Sequence, residues 1–248
     1  MRLPFLLSLF ALPLAAQEPA SWGGGRDVPF STFSIAAIDP ATGEVGVAVT
    51  TRVACVGNGV PWVRAGVGAV ATQANTRVEY GEQLLDRLAN EESPAVALRT
   101  LLAGDSLAET RQVGVIGLRG GTAQHTGSRN NPWAGHRAGA TYVTQGNLLE
   151  GPQVVEAVAR AFEASEGTPR HLADRLIEAL AAGQAAGGDA RKGRVQSAAV
   201  IVADARAGRS RRPDGVTAHI NVCEHPEPVG ELRRIYDTVS ETLGYRTL

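Results

Sequence analysis

Hydroxyl and amide residues collect at the ends of the apolar runs in this chain. Ser31-Thr32 precedes "FSIAAI", Thr51-Arg52 closes "VGVAVT", and Gln73 and Asn75 follow "VGAVAT". Gln145-Gly146-Asn147 interrupts "TYVTQGNLL", and Gln196-Ser197 opens "SAAVIV". A hydroxyl can serve as a nucleophile, and an amide NH2 can donate to a developing oxyanion. Burying such groups costs free energy unless they are hydrogen-bonded. One polar cleft shared by several strand ends would account for all of them; ordinary hairpin capping would give a similar pattern. Two other segments carry chemistry-bearing types. "AGGDARKGR" is a Gly-rich basic loop that either places Asp189 and Arg191 near a site or is a solvated connector. His125 and His136 flank a polar loop and could meet a substrate.

The familiar signatures are missing. There is no G-x-S-x-G elbow and no H-E-x-x-H, and the five histidines form no spaced ligand set. Gly193 is followed by Arg194 and leads into a strand, so the Gly-rich loop does not meet the requirements of a phosphate-cradling loop. "RAGRSRRP" reads as a solvated hairpin loop. No metal and no cofactor are expected.

The elements that would position these residues follow from periodicity. Phe33 and Ile35 alternate with Ser34 and Ala36, and Val45, Val47 and Val49 alternate with Gly46, Ala48 and Thr50, so both runs are strands. Asp39-Pro40-Ala41-Thr42-Gly43 joins them as a hairpin turn. The small residues share a face, so something must pack close to it. A third strand covers Val67 to Thr72. Two helices follow, the second with Ser93 as N-cap and Pro94 in its first turn. "RQVGVIGLRG", "TAQHTG" and "TYVTQGNLL" are strands; helices then start at Gly151-Pro152 and run from His171 to Ala182. "VQSAAVIVADA" and "VTAHINVC" form a hairpin, and a last helix spans Val229 to Leu243. Clustered rather than alternating strands point to an α+β fold. Several strands are apolar on both faces, as expected for an αββα sandwich: two packed sheets with helices outside.

Residues 2 to 16, "RLPFLLSLFALPLAA", have the layout of a signal peptide, with the cut expected after Ala16. Gln17 to Ser31 reads as a flexible leader, and 32 to 248 as a single domain. The protein is therefore expected to be secreted or periplasmic, with no membrane span. A formal charge of -1 argues against a nucleic-acid partner. Cys55 and Cys223 either pair in an oxidising compartment or remain two separate buried thiols. A homodimer is what general base rates favour.

"TFSIAAIDPATGEVGVAV", "GAVATQ", "RQVGVIG", "HTG", "WAGHRAG", "QGNLL", "AGQAAGGDARKGRVQS" and "HPEPVGELRR" occur in that order over roughly residues 31 to 240. Together they resemble a family of uncharacterised bacterial and archaeal proteins assigned by fold to the N-terminal nucleophile (Ntn) hydrolase superfamily. The resemblance implies a four-layer αββα sandwich and an amidohydrolase mechanism. The residue that opens the first strand attacks an amide carbonyl while its own free α-amine takes the proton. The matching residue here is Thr32. Signal cleavage would leave Gln17 at the front, so a second cut between Ser31 and Thr32 is required. Supporting roles follow by position: Gln73, Asn75 and Asn147 as oxyanion donors, Arg52 orienting the amine or binding a substrate carboxylate, and Asp189 anchoring a substrate amine. A small-molecule or peptide-like substrate is implied, with a hint of cell-wall context. A non-catalytic relative that binds a small ligand or cell-wall fragment in the same cleft is the alternative.

Overall fold

The structure is a computed structural model that describes residues 32–191 and 196–243. The signal-peptide and leader readings fall on residues 1–31, outside the described residues. The protein is α+β, with two antiparallel sheets and five α-helices among the described residues.

The chain opens with β1 (Thr32–Asp39) and β2 (Glu44–Thr51). At the turn between them Gly43 takes φ 79°, and its N–H donates to the Asp39 carbonyl at 2.7 Å. That conformation suits glycine, as the Asp-Pro-x-x-Gly pattern predicts. Next come β3 (Pro61–Arg64), β4 (Gly68–Ala74), α1 (Glu79–Ala89) and α2 (Pro94–Ala103). Ser93 caps α2 by accepting from the Val96 N–H, with Pro94 at the first position. Four strands follow: β5 (Arg111–Gly117), β6 (Thr122–Thr126), β7 (Gly135–Ala138) and β8 (Tyr142–Asn147). The chain continues through α3 (Pro152–Ala164), α4 (Leu172–Ala185), β9 (Gln196–Ala203), β10 (Val216–His225) and α5 (Pro228–Leu243).

The first sheet has the order β10-β9-β2-β1-β8-β7, and the second β3-β4-β5-β6. Three apolar cores hold the elements together. Phe33, Ile35, Val200 and Ile220 of the six-stranded sheet pack against Phe162 of α3, Leu176 of α4 and Leu232 of α5. Ala36, Val47, Ala71 and Ile116 meet between the two sheets. Val70, Val113 and Val115 pack against Tyr80, Leu84 and Leu98 of α1 and α2. The small face of β2 is where α4 lies: a Cβ on Gly46 would stand 2.7 Å from Leu176 Cδ1. Among the described residues, no helix is long and apolar enough to cross a membrane.

Cys55 and Cys223 form a disulfide, 168 residues apart in sequence. It ties the segment after β2 to β10, beside a 2.9 Å hydrogen bond from the Cys55 N–H to the Cys223 carbonyl. Cross-linking so long a loop removes much of the unfolded chain's freedom. Replacing both cysteines by alanine is expected to cost about 2–4 kcal/mol, read as a lower urea midpoint with activity retained at low temperature.

Candidate functional site

Each strand facing the space between the sheets changes from apolar to polar toward one end. Side chains alternate across a strand, so every second residue shares a face. On β1 the series Ile38, Ala36 continues as Ser34 and Thr32; on β2, Val45, Val47, Val49 continues as Thr51. On β4, Ala69 and Ala71 lead to Gln73, and on β5 Ile116 leads through Gly114 to Gln112. Val143 of β8 leads to Gln145 and Asn147, and Ala199 of β9 to Ser197. The pairing register brings these ends together. Thr32 is flanked by Thr51 on one side and Asn147 on the other, and Thr51 is paired in turn with Ser197.

The polar ends are joined by hydrogen bonds. Thr32 Oγ1 donates to Thr51 Oγ1 at 3.0 Å, and Gln73 Nε2 donates to the Thr32 carbonyl at 3.2 Å. Ser34 Oγ donates to Gln73 Oε1 at 2.6 Å. Gln112 is the hub: its Oε1 accepts from Gln73 Nε2 at 2.8 Å and from Asn147 Nδ2 at 2.9 Å. Its own Nε2 donates to the Gly146 carbonyl at 2.8 Å, with Thr126 Oγ1 and the Gly135 carbonyl also within 3.2 Å. Both hydrogens of Gln73 Nε2 are therefore engaged by the fold. Asn147 spends one on Gln112, and its second makes no hydrogen bond among the described residues. Of the three amides expected to stabilise an oxyanion, Gln73, Asn75 and Asn147, the one in this network with a donor to spare is Asn147.

The charged candidates lie just past these strand ends. Arg52 follows Thr51, and its Nε is 3.4 Å from Asp189 Oδ1. Arg191 grips the same carboxylate through its backbone N–H and its guanidinium, with Nη2 at 2.9 Å from Oδ2. Asn75 lies elsewhere. Ala74 adopts φ 69°, and beyond that turn Asn75 Nδ2 donates to Thr110 Oγ1 at 3.1 Å while its carbonyl accepts from Arg111. His125 pairs with Val113, whose side chain belongs to the core under α1 and α2, and its Nε2 lies 2.8 Å from the Ala108 carbonyl. One residue of strand parity turns it away from Gln112. His136 is the nearer histidine, reaching the hub through Thr126 Oγ1 at 2.9 Å.

The family model described as "Family of unknown function (DUF1028)" matches residues 32–232. The chain belongs to this family. The crystal structure of protein SPO2555 from Silicibacter pomeroyi, carrying the same family model, is similar to it: 32% identity, TM-score 0.73, with 85% of this chain and 89% of that chain covered. No curated protein matches the chain. The family match begins at Thr32, the first residue of β1.

In this DUF1028 protein an open groove of about 720 Å³ lies away from Thr32, between α4 and α5, lined by His171, Asp174, Arg233 and Tyr236 among others. Beneath it sits a buried pair that takes no part in the Thr32 network. His171 caps α4, its Nδ1 accepting from the Ala173 N–H. Its Nε2 lies 3.0 Å from Glu44 Oε1, off the line of a hydrogen bond, which leaves that oxygen buried without a donor. Desolvation pushes Glu44 up to about 7, the N–H of Leu172 only partly opposing it. Desolvation pushes His171 down to about 4. The signs oppose each other. Glu44 holds a proton in the fold that the unfolded chain releases above its usual carboxylate range, so its contribution falls as pH rises toward 7. His171 refuses a proton that the unfolded chain takes up, so its contribution falls as pH drops from about 6.5 toward 4. Between about 4.5 and 6.5 the two offset. Glu44→Gln is expected to leave stability falling on acidification through that window, and His171→Asn to leave it falling as pH rises. Urea midpoints at several pH values check both.

Sequence reasoning did not single out Gln112 or Ser34. The available signal was their phase: Gln112 shares the period-two series of Gly114 and Ile116, and Ser34 that of Ala36. Among the described residues, no group of three or more His, Cys, Asp or Glu is placed to hold a metal ion.

Proposed function

We propose that this protein is an N-terminal nucleophile amidohydrolase, secreted and acting on a small amide or peptide-like bond, with Thr32 as nucleophile. The two sheets with helices beyond each are then the αββα sandwich of that superfamily. The observation that carries the reading is the position of Thr32. It opens the first strand of the family match, and its hydroxyl faces a buried polar network between the sheets, not apolar packing. A disulfide and the character of residues 2 to 16 favour an extracytoplasmic setting. Cell-wall fragments are a natural substrate class there.

Chemistry requires cleavage of the Ser31–Thr32 bond. The freed α-amine, whose ordinary pKa is about 7.7–8.0, is substantially unprotonated at neutral pH. Thr32 Oγ1 attacks the substrate carbonyl, and its proton passes to the α-amine and on to the departing amine. The resulting ester is hydrolysed by water, which restores the hydroxyl. Asn147 supplies an N–H to the oxyanion formed in both steps. Asn147→Ala is expected to lower kcat about 10²-fold, in the range for one lost oxyanion donor, with KM little changed. Turnover of a panel of acyl amides by cleaved protein, with the new amino terminus mapped by mass, tests the proposal. Full cleavage with no turnover of any amide counts against it.

A non-catalytic relative binding a small ligand in the same place is favoured by one observation. Thr32 is only 2% exposed, and its carbonyl is held by Gln73. That reading expects ligand binding indifferent to Thr32→Ala.

A further inference from the structure

The main chain of Thr32 is held from three directions. It pairs with Thr51 of β2 on one side and Asn147 of β8 on the other, and its carbonyl accepts from Gln73 Nε2 across the sheets at 3.2 Å. With the backbone fixed, one torsion, χ1, decides where Oγ1 stands. Adjacent staggered wells place that oxygen about 2 Å apart. A strand accommodates more than one of these wells, so the backbone alone does not choose between them.

The contact that singles out one well is with Thr51, whose Oγ1 accepts from Thr32 Oγ1 at 3.0 Å. That acceptor differs from those of other strand threonines. Thr50 of β2, Thr72 of β4 and Thr144 of β8 donate to main-chain carbonyls, those of Ser197, Arg77 and Ser34. Thr32 instead meets a side chain, and that side chain is itself fixed. Thr51 is buried, β-branched and paired on its far side with Ser197. Ser197 Oγ accepts from the Val56 N–H at 3.1 Å and donates to the Val53 carbonyl, which pins the chain leaving β2 just past Thr51. The acceptor of the Thr32 hydroxyl and the spare amide donor of Asn147 thus flank Thr32 from opposite sides.

We infer that Thr51 is a positioning residue for the nucleophile: its hydroxyl oxygen selects the χ1 rotamer of Thr32 from which Oγ1 attacks. This rests on Thr32 being the nucleophile. Thr51 touches no substrate and takes no proton. At attack the Thr32 proton turns from Thr51 to the freed α-amine, a rotation about Cβ–Oγ1 that leaves the oxygen in place. In the wrong well the oxygen is out of line, and a misplacement of about 1 Å already costs up to about 10²-fold. One neutral hydrogen bond favours a rotamer by about tenfold, and that sets the size of the effect.

Rotamer and reactivity are read separately, on the full chain after its own processing. Three-bond couplings from the Thr32 γ-methyl carbon to the backbone nitrogen and carbonyl carbon report χ1 by NMR. The rate of Thr32 acylation by a β-lactone, followed by mass, reports attack. The parent is expected to show one Thr32 rotamer. Thr51→Val keeps the shape and removes the acceptor, so it is expected to give averaged couplings and acylation slowed about tenfold. On any amide turned over, kcat falls by the same factor with KM unchanged. Thr51→Ser restores the oxygen and is expected to return a single rotamer and a rate within about threefold of the parent. Thr51→Ala replaces the valine variant should that one fail to fold. Unchanged couplings or unchanged acylation in Thr51→Val, or no rescue by serine, overturns the inference. A parent that holds one rotamer, loses it in Thr51→Val and yet is never acylated at Thr32 leaves Thr51 as the lock on that side chain and removes the nucleophile reading instead.

Discussion

Thr32→Ala is expected to abolish amide turnover, a fall of at least about 10³-fold in kcat, because loss of a nucleophile leaves only oxyanion stabilisation and binding. Thr32→Ser should retain measurable activity, since it keeps the hydroxyl and the α-amine. The fold should tolerate both. Among the described residues the hydroxyl makes one hydrogen bond, to Thr51, and the Gln73 bond goes to the backbone carbonyl, which substitution leaves in place. A urea midpoint close to that of the parent, alongside the lost rate, would separate chemistry from stability. Equal rates for parent and Thr32→Ala would remove Thr32 from the mechanism.

Gln112→Leu is expected to cost about 3–5 kcal/mol. Leucine has similar bulk but can neither accept from Gln73 and Asn147 nor donate to the Gly146 carbonyl. Three buried polar groups lose a partner, at about 1–3 kcal/mol each before relaxation. Gln112→Glu keeps the network only while the carboxyl is neutral. It then accepts from Gln73 and Asn147 and donates its O–H to the Gly146 carbonyl, so its cost should be smaller than that of leucine at low pH and grow as rising pH forces the buried group to ionise. Denaturant unfolding of the two variants, with kcat measured on the folded fraction, checks the ranking. If Gln112→Leu unfolds at the parent midpoint, the network does not order the site as described.

Much of the scaffold was legible because period-two alternation and turn chemistry agree along the chain. Gly46 and Ala48 already demanded a close neighbour, and α4 fills that place. The four-residue strands β3 and β7 carry too few side chains to show a period, and β7 reads Gly-His-Arg-Ala. The disulfide could not be read from spacing, because two cysteines 168 residues apart are brought together only by the pairing of β9 with β2 and β10.

The site was legible by residue type but not by assembly. Thr32, Gln73 and Asn147 do meet in one network. Strand parity decides membership, and parity is fixed only once it is known which face meets the other sheet. Gln112 was overlooked for this reason, and His125 turns away for the same one. Asn75 lies beyond the positive φ of Ala74, where alternation stops being a guide. Asp189 and Arg191 share one loop in the sequence and Arg52 lies in another, and the contact of Arg52 with Asp189 emerges only when these two loops, distant in sequence, meet.

The most direct measurement is a mass map of protein recovered from the organism that makes it, after exposure to a β-lactone probe. The account predicts a chain that begins at Thr32 with a free α-amine, acylated on the Thr32 hydroxyl. Active protein whose amino terminus lies upstream of Thr32, or an adduct on any other residue, would contradict it.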